Sequence, residues 1–565
     1  MGVPFEEVVT DLRKVAFVAA VGWVDNGQAP RDQHRGRSHN GTQIALFNDP
    51  FAERAAFVRP IQEVAAMKLS ALPIDEPRVF EIWKLFVIVA GAAVVLGVKL
   101  WLIATSGNIV PYWDQWDGEA AVLFKPFLDG TLQFSTLVGP HNEHRILWTR
   151  LIALALLKIN GTWDPILEMA VNAVIHACTI GILLAMLARV LDAAAVLCMV
   201  LFSMLVLSVP FGWENLLWGF QSQFYILILL GFLSLYFLCE SAAWSPRWWI
   251  GTILAICAYF SIASGALTLP AFISIAIVQF ATGQRSGYRE WGGLACHCAL
   301  VAIFVAGIPV LPYHEVLKPH SVRQLYEGIV QAASWPLAAD NWSTASRAVG
   351  TICIYAPAIV LFLRLLRERT GIGDRRWLLV ACAAWVALQI IALALGRSVV
   401  IMSSRYLDIF VTATIVNVAC LIYLTQSAPL GALRQKTYLL VTTVWIAAML
   451  IGVTQNATDK LPPELSHWRD RRVSQGENLK RFLASGNIAD LANKPIPYPD
   501  AARLQSLASD PVIRAILPGE LFGIPQRARI KNAILKTGPL LIPIGLAFVI
   551  LAALVGYRRM RYSAA

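Results

Sequence analysis

The chain has 565 residues, 57% of them hydrophobic and only 15% charged. Its mean hydropathy of +0.59 excludes an ordinary soluble globular protein, and repeated apolar runs between short polar breaks predict an all-α polytopic membrane protein. In a soluble chain a net charge of +11 would suggest a nucleic-acid partner, but here the arginines cluster between apolar runs, as positive-inside topology requires; no nucleic-acid partner is expected.

Residues 1–80 differ in character from the rest of the chain and read as a disordered N-terminal extension. The apolar stretch 15–24 is too short to cross a bilayer, and Met67 opens a short polar leader that would serve equally as a start. The first span is expected over 84–105, and at its end lies Pro-Tyr-Trp-Asp-Gln-Trp-Asp, residues 111–117. Trp and Tyr commonly sit at the headgroup level, whereas Asp114 and Asp117 need another reason. A poorly solvated carboxylate beside hydrocarbon is a candidate proton acceptor or cation holder. Asp117, followed by Gly118 and Glu119, also reads as the N-cap of an amphipathic run over 120–128. Asp114 has no such explanation.

His141-Asn142-Glu143-His144-Arg145 follows a Gly-Pro turn. Three readings stay open for it: contact with a phosphate or sugar, a weak divalent-metal motif from His141, Glu143 and His144, or simple capping and hydrogen bonding. The apolar stretch 145–158 would be about 21 Å long as a helix and is interrupted by Arg150, so it is expected to lie in the interface rather than span. With that segment excluded, twelve spans are expected and nearly all loop arginines fall on the inner side. The core is then 81–454, an outer, mainly helical domain covers 455–535, and 536–565 form a last span and basic tail.

Two further stretches fall on the expected outer face. Between the third and fourth spans, Trp213 and the aromatics Trp218 and Phe220 alternate with Glu214, Asn215, Gln221 and Gln223. Stacking faces and planar amides suit a sugar ring, and an aromatic belt is the plainer alternative. Arg397, Arg405 and Tyr406 lie on the same side, and arginine is well shaped for bidentate phosphate binding. His314, Glu315, Lys318 and His320 are outer-loop residues of no clear rank. The nine cysteines all fall in or beside apolar runs, so no disulfides are expected, and Cys296-His297-Cys298 lacks zinc spacing.

In layout, residues 84–560 resemble the GT-C superfamily of membrane glycosyltransferases, which use polyprenyl-phosphate sugars. The residues carrying the resemblance are Asp117-Gly118-Glu119 with the amphipathic run after it, the interfacial stretch 145–158, and Ser404-Arg405-Tyr406. The acidic start departs from the adjacent acidic pair common in that superfamily. The resemblance implies a GT-C-like bundle in a bacterial inner membrane with its site facing the periplasm. It also implies an inverting transfer of sugar to a lipid or glycan acceptor of the cell envelope. In that scheme Asp117, with Asp114 as second choice, is the base, and Arg405, His144 and Arg145 hold the lipid phosphate. No cofactor is firmly expected, a divalent metal being the one candidate. The alternative is a transporter or flippase of lipid-linked sugars, which would carry polar residues through mid-membrane.

Overall fold

The computed structural model describes residues 76–428, 431–524 and 529–563. The expected N-terminal extension therefore lies outside the described residues, apart from 76–80. Those described fold into helices joined by short loops; among them the one β-type pairing is an isolated bridge between His141 and His144.

Ten of the described helices are long and apolar enough to cross a membrane, from Phe80–Ser106 to Lys531–Gly556. Ala193–Ser208 and Pro246–Tyr259 are shorter, at 16 and 14 residues, and both pack within the same bundle. One end is marked by ion pairs such as Arg189 with Glu240 and by Gln426 donating to the Val190 carbonyl at 2.6 Å. The other end carries residues 107–164, 211–221 and 398–406.

The stretch 107–164 leaves and re-enters the bundle at one end, so the helix Leu147–Asn160 does not cross. It buries Thr149, Arg150, Ala153 and Leu157 on one face. Arg150, which breaks the apolar run, is 2% exposed and donates to the carbonyls of Thr136, Leu137 and Gly139 at 2.6, 3.1 and 2.7 Å. Its charge is met by backbone dipoles, so the helix can lie flat with an arginine on its buried face.

The first and last membrane helices approach closely because each sets a glycine against a branched side chain of the other. A Cβ on Gly97 would stand 2.8 Å from Ile542 Cγ1, and one on Gly545 would stand 2.6 Å from Val94 Cγ2. In lipid, close van der Waals packing of this kind replaces the hydrophobic drive.

At the expected boundary near residue 455 the helix simply continues, as a 53-residue helical run over Leu433–Ser485. The short helices Ala501–Ser509 and Pro511–Ile516 fold back onto the first loop. The two share one hydrophobic cluster, with Trp116, Leu123, Phe124 and Trp163 from the loop and Phe482, Leu491, Leu504 and Ile513 from the C-terminal part. Burial of each such side chain contributes about 1.5–3 kcal/mol, enough for the two segments to form one unit over the end of the bundle.

Candidate functional site

A cavity of about 880 Å³ opens at that end of the bundle. Asp114, His141, Glu143, His144, Gln221, Gln223, Arg397, Arg405 and Tyr406 all line it. These residues come from four separate stretches of chain. Trp218 and Phe220 supply aromatic faces, and Val305, Ile308, Leu317 and Val399 make one side apolar.

Asp114 reaches the cavity through an unusual turn. Trp113 takes φ +46°, a strained value for a bulky L-residue, and its N–H is secured by the Pro497 carbonyl at 2.8 Å. A π-helix spans Gln115–Phe124, and Asp114 at its N-cap position makes no side-chain capping bond. The basic side chain within ion-pair distance is His141, whose Nε2 lies 3.8 Å from Asp114 Oδ1. The carboxylate is therefore free for a ligand.

Asp117 is placed otherwise. Its Oδ1 accepts from Arg503 Nε and Nη2 at 3.0 and 2.8 Å, and the Tyr498 hydroxyl donates to Oδ2. Burial and this carboxylate together push the Tyr498 phenol up to about 12. Asp117 thus ties the first loop to the C-terminal segment, away from the cavity lining. Glu119 is also withdrawn, at 1% exposure, accepting from Gln115 Nε2 and Trp163 Nε1, both at 3.1 Å.

His141 and His144 exchange backbone hydrogen bonds of 2.7 and 3.0 Å, closing a tight hairpin with Asn142 and Glu143 at its tip. Asn142 takes φ +52°, which asparagine tolerates better than most residues. Glu143 pairs with Arg397 and, through Oε2, with His314 Nδ1 at 3.0 Å. His144 Nδ1 has no hydrogen-bond partner. Burial, with His141 and His314 nearby, holds its imidazole well below the usual range, so the ring is neutral near pH 7. Arg145 turns away from the cavity and donates to the Val138 carbonyl, the Gly307 carbonyl and the Tyr259 hydroxyl at 2.9, 3.2 and 3.3 Å. Such an arginine holds the loop and leaves little for a phosphate.

Trp213 also faces elsewhere, donating to Glu464 Oε2 at 2.8 Å. Glu214 and Asn215 lie behind the lining and fix the start of the helix Ser404–Gln426. One Glu214 oxygen accepts from the hydroxyls of Ser403 and Ser404 at 2.8 Å each and from the Arg405 N–H at 3.2 Å. Burial pushes the Glu214 carboxyl up, but the Arg405 guanidinium and the two hydroxyls more than offset it, leaving the group below the usual carboxylate range. Asn215 donates to the Arg405 carbonyl and to Asp408 Oδ2, both at 2.8 Å.

Arg405 itself lies 5.6 Å over the Trp218 ring and meets Glu214 Oε1 only at 3.4 Å. With its side chain 35% exposed, part of the guanidinium faces the cavity. Gln223 donates to Gln221 Oε1 at 2.8 Å and accepts from Thr149 at 3.1 Å, which explains how two amides are tolerated at the start of a span.

Among the described residues no group of three or more His, Cys, Asp or Glu side chains is placed to hold a metal ion. His297, between its two cysteines, bonds Thr252 at 2.9 Å and stacks on Trp248 with ring centroids 4.6 Å apart, which is a packing role.

Two features escape sequence reading. Glu168, on the first turn of the helix Pro165–Leu187, shares the Gln115 amide with Glu119; an acid inside an apolar run was the available signal. Lys99, in the last third of the first span, is 5% exposed and interacts electrostatically with Asp408 and His176. His176 also stacks on Tyr225 with centroids 4.1 Å apart. Comparison with protein-family models, curated proteins and solved structures finds no match to this chain.

Proposed function

We propose that this chain is an inverting membrane glycosyltransferase that moves a sugar from a polyprenyl-phosphate donor to a cell-envelope lipid or glycan. The observation that carries the reading is an uncommitted carboxylate, Asp114, facing the same cavity as the partly free guanidinium of Arg405. An acceptor hydroxyl is a poor nucleophile. As its oxygen attacks the anomeric carbon, Asp114 takes the proton. The bond from that carbon to the phosphate oxygen breaks, the electron pair leaves on the lipid phosphate, and Arg405 offsets the anion. Trp218 and Phe220 offer faces for a sugar ring, and Gln221 and Gln223 offer amides. The role of base passes from Asp117 to Asp114 because Asp117 is already held by Arg503 and Tyr498.

The apolar side of the cavity would let the polyprenyl chain remain in the membrane. Val305 and Val399 there are 59% and 55% exposed. The arginine-rich opposite end supports an inner membrane with the cavity toward the periplasm. If Ala193–Ser208 and Pro246–Tyr259 both cross, the spans number twelve.

The test is release of polyprenyl phosphate from a panel of polyprenyl-phosphate sugars by the reconstituted protein. Asp114→Asn should lower the rate by about 10²–10⁴-fold, and Asp117→Asn should lower it far less. Full activity in Asp114→Asn removes the mechanism. A second reading, movement of lipid-linked sugars without transfer, draws on Lys99, His176 and Asp408 within the bundle. It requires donor binding and flipping with no phosphate released and no effect of Asp114→Asn on flipping.

A further inference from the structure

The cavity contains two arginines, and they are in different states. Arg405 is held on one side by Glu214 and Ser403 and is partly open to the cavity, whereas Arg397 is met by Glu143 within the cavity itself. We infer that Arg397, His314 and His144 form a second oxyanion site for a phosphate-class group, and that Glu143 occupies it in this structure as an internal stand-in. The inference rests on the transferase reading for the source of that phosphate.

Three observations converge on it. First, the Glu143 carboxylate sits where an external anion would: Arg397 bonds Oε1, and His314 Nδ1 and His144 Nε2 approach within 3.0 Å of Oε2 and 3.6 Å of Oε1, although Oε2 itself accepts no hydrogen bond. All three cationic or polar partners line the cavity. Second, Glu143 is delivered by a hairpin tip rather than by a helix or strand, next to Asn142 at φ +52°. That tip is tied to the loop across the cavity, with the Tyr313 hydroxyl donating to Asn142 Oδ1 at 2.9 Å. The contacts of the tip across the cavity run through side chains, so its withdrawal need not break the His141–His144 backbone pair. Third, His144 Nδ1 is buried without a partner, a donor or acceptor still unused at the site.

The lining around Arg397 includes Ile308, Leu317, Val399 and Val400. Apolar walls on this side favour a phosphate attached to a lipid chain. Binding would exchange one anion for another on Arg397, so no unpaired charge is left behind. Withdrawal of Glu143 would also free the segment Pro312–Leu317 from the hairpin, coupling anion binding to opening of the cavity on that side.

The experiment uses the full-length protein in detergent, with inorganic phosphate and farnesyl phosphate as separate probes and intrinsic tryptophan fluorescence or calorimetry as the readout. Removing the internal competitor in Glu143→Gln should tighten binding by about tenfold or more, and the gain should vanish in the Glu143→Gln, Arg397→Gln double variant. A gain for farnesyl phosphate alone supports a lipid headgroup as the ligand, and a gain for both probes supports a phosphate from either source. Unchanged or weaker binding of both probes overturns the inference, as does a gain that survives loss of Arg397. Thermal unfolding checks that each variant folds. None of these readings needs turnover, so a protein without transferase activity still tests the site.

Discussion

Glu119 and Glu168 share one donor: Gln115 Nε2 lies 3.1 Å from a Glu119 oxygen and 2.7 Å from a Glu168 oxygen. A loop carboxyl and a carboxyl on the first turn of a membrane helix are thus held together in a dry pocket. Burial pushes Glu119 from 4.5 up to about 8, opposed by the bonds from Gln115 and Trp163 and reinforced by Asp114. The folded state then binds this proton more tightly than the unfolded chain does. Its contribution is complete below about pH 4.5 and is lost as pH rises through about 8. Thermal unfolding of wild type should show falling stability across that window, and Glu119→Gln should flatten the fall.

Arg503 and Asp117 join segments far apart in sequence, yet the two side chains are 45% and 34% exposed. Solvent screening keeps such a pair to about 1 kcal/mol or less. Arg503→Gln should therefore lower the unfolding midpoint only slightly. A double-mutant cycle with Asp117→Asn should show that the two losses are not additive.

Glu214 satisfies two hydroxyls and one backbone N–H at the start of the helix that presents Arg405. Glu214→Ala leaves these donors without their acceptor, which costs about 1–3 kcal/mol of stability. Glu214→Gln keeps one acceptor oxygen and should recover part of the loss, as measured by thermal unfolding in detergent.

A Cβ on Gly212 would fall directly on the Asp408 carboxylate. Gly212→Ala must displace a buried acid that also accepts from Asn215. Overpacking of this kind costs about 1–3 kcal/mol, so the variant should unfold at a lower temperature than wild type. Gly396→Ala, with no atom within 4 Å of the added Cβ, is the control and should unfold close to wild type.

The sequence made the broad layout legible because hydrocarbon imposes long apolar helices and sorts arginines to one side. Those rules bring Asp114, the 141–144 hairpin, Gln221, Gln223, Arg397 and Arg405 to one end, and in the structure they line one cavity. Which neighbouring acid faces the cavity was not legible. Asp117 looked like the base because capping and catalysis leave the same residue type at the same place, and its partner Arg503 lies 386 residues away. Arg145 and Trp213 looked available for the same reason. Their partners Gly307 and Glu464 come from segments distant in sequence that no local pattern announces.

The hydrophobic cluster shared by the first loop and the segment beyond Phe482 has a consequence for biosynthesis. Trp116 and Trp163 leave the ribosome long before Leu504 and Ile513, so their apolar faces wait uncovered while hundreds of residues are added, on the order of tens of seconds at ordinary elongation rates. The strained turn at Trp113 cannot be secured by Pro497 before then either. Asp114 is therefore presented in its final position only near the end of translation, and a nascent chain already threaded through the membrane has no finished cavity until its last extramembrane helices arrive.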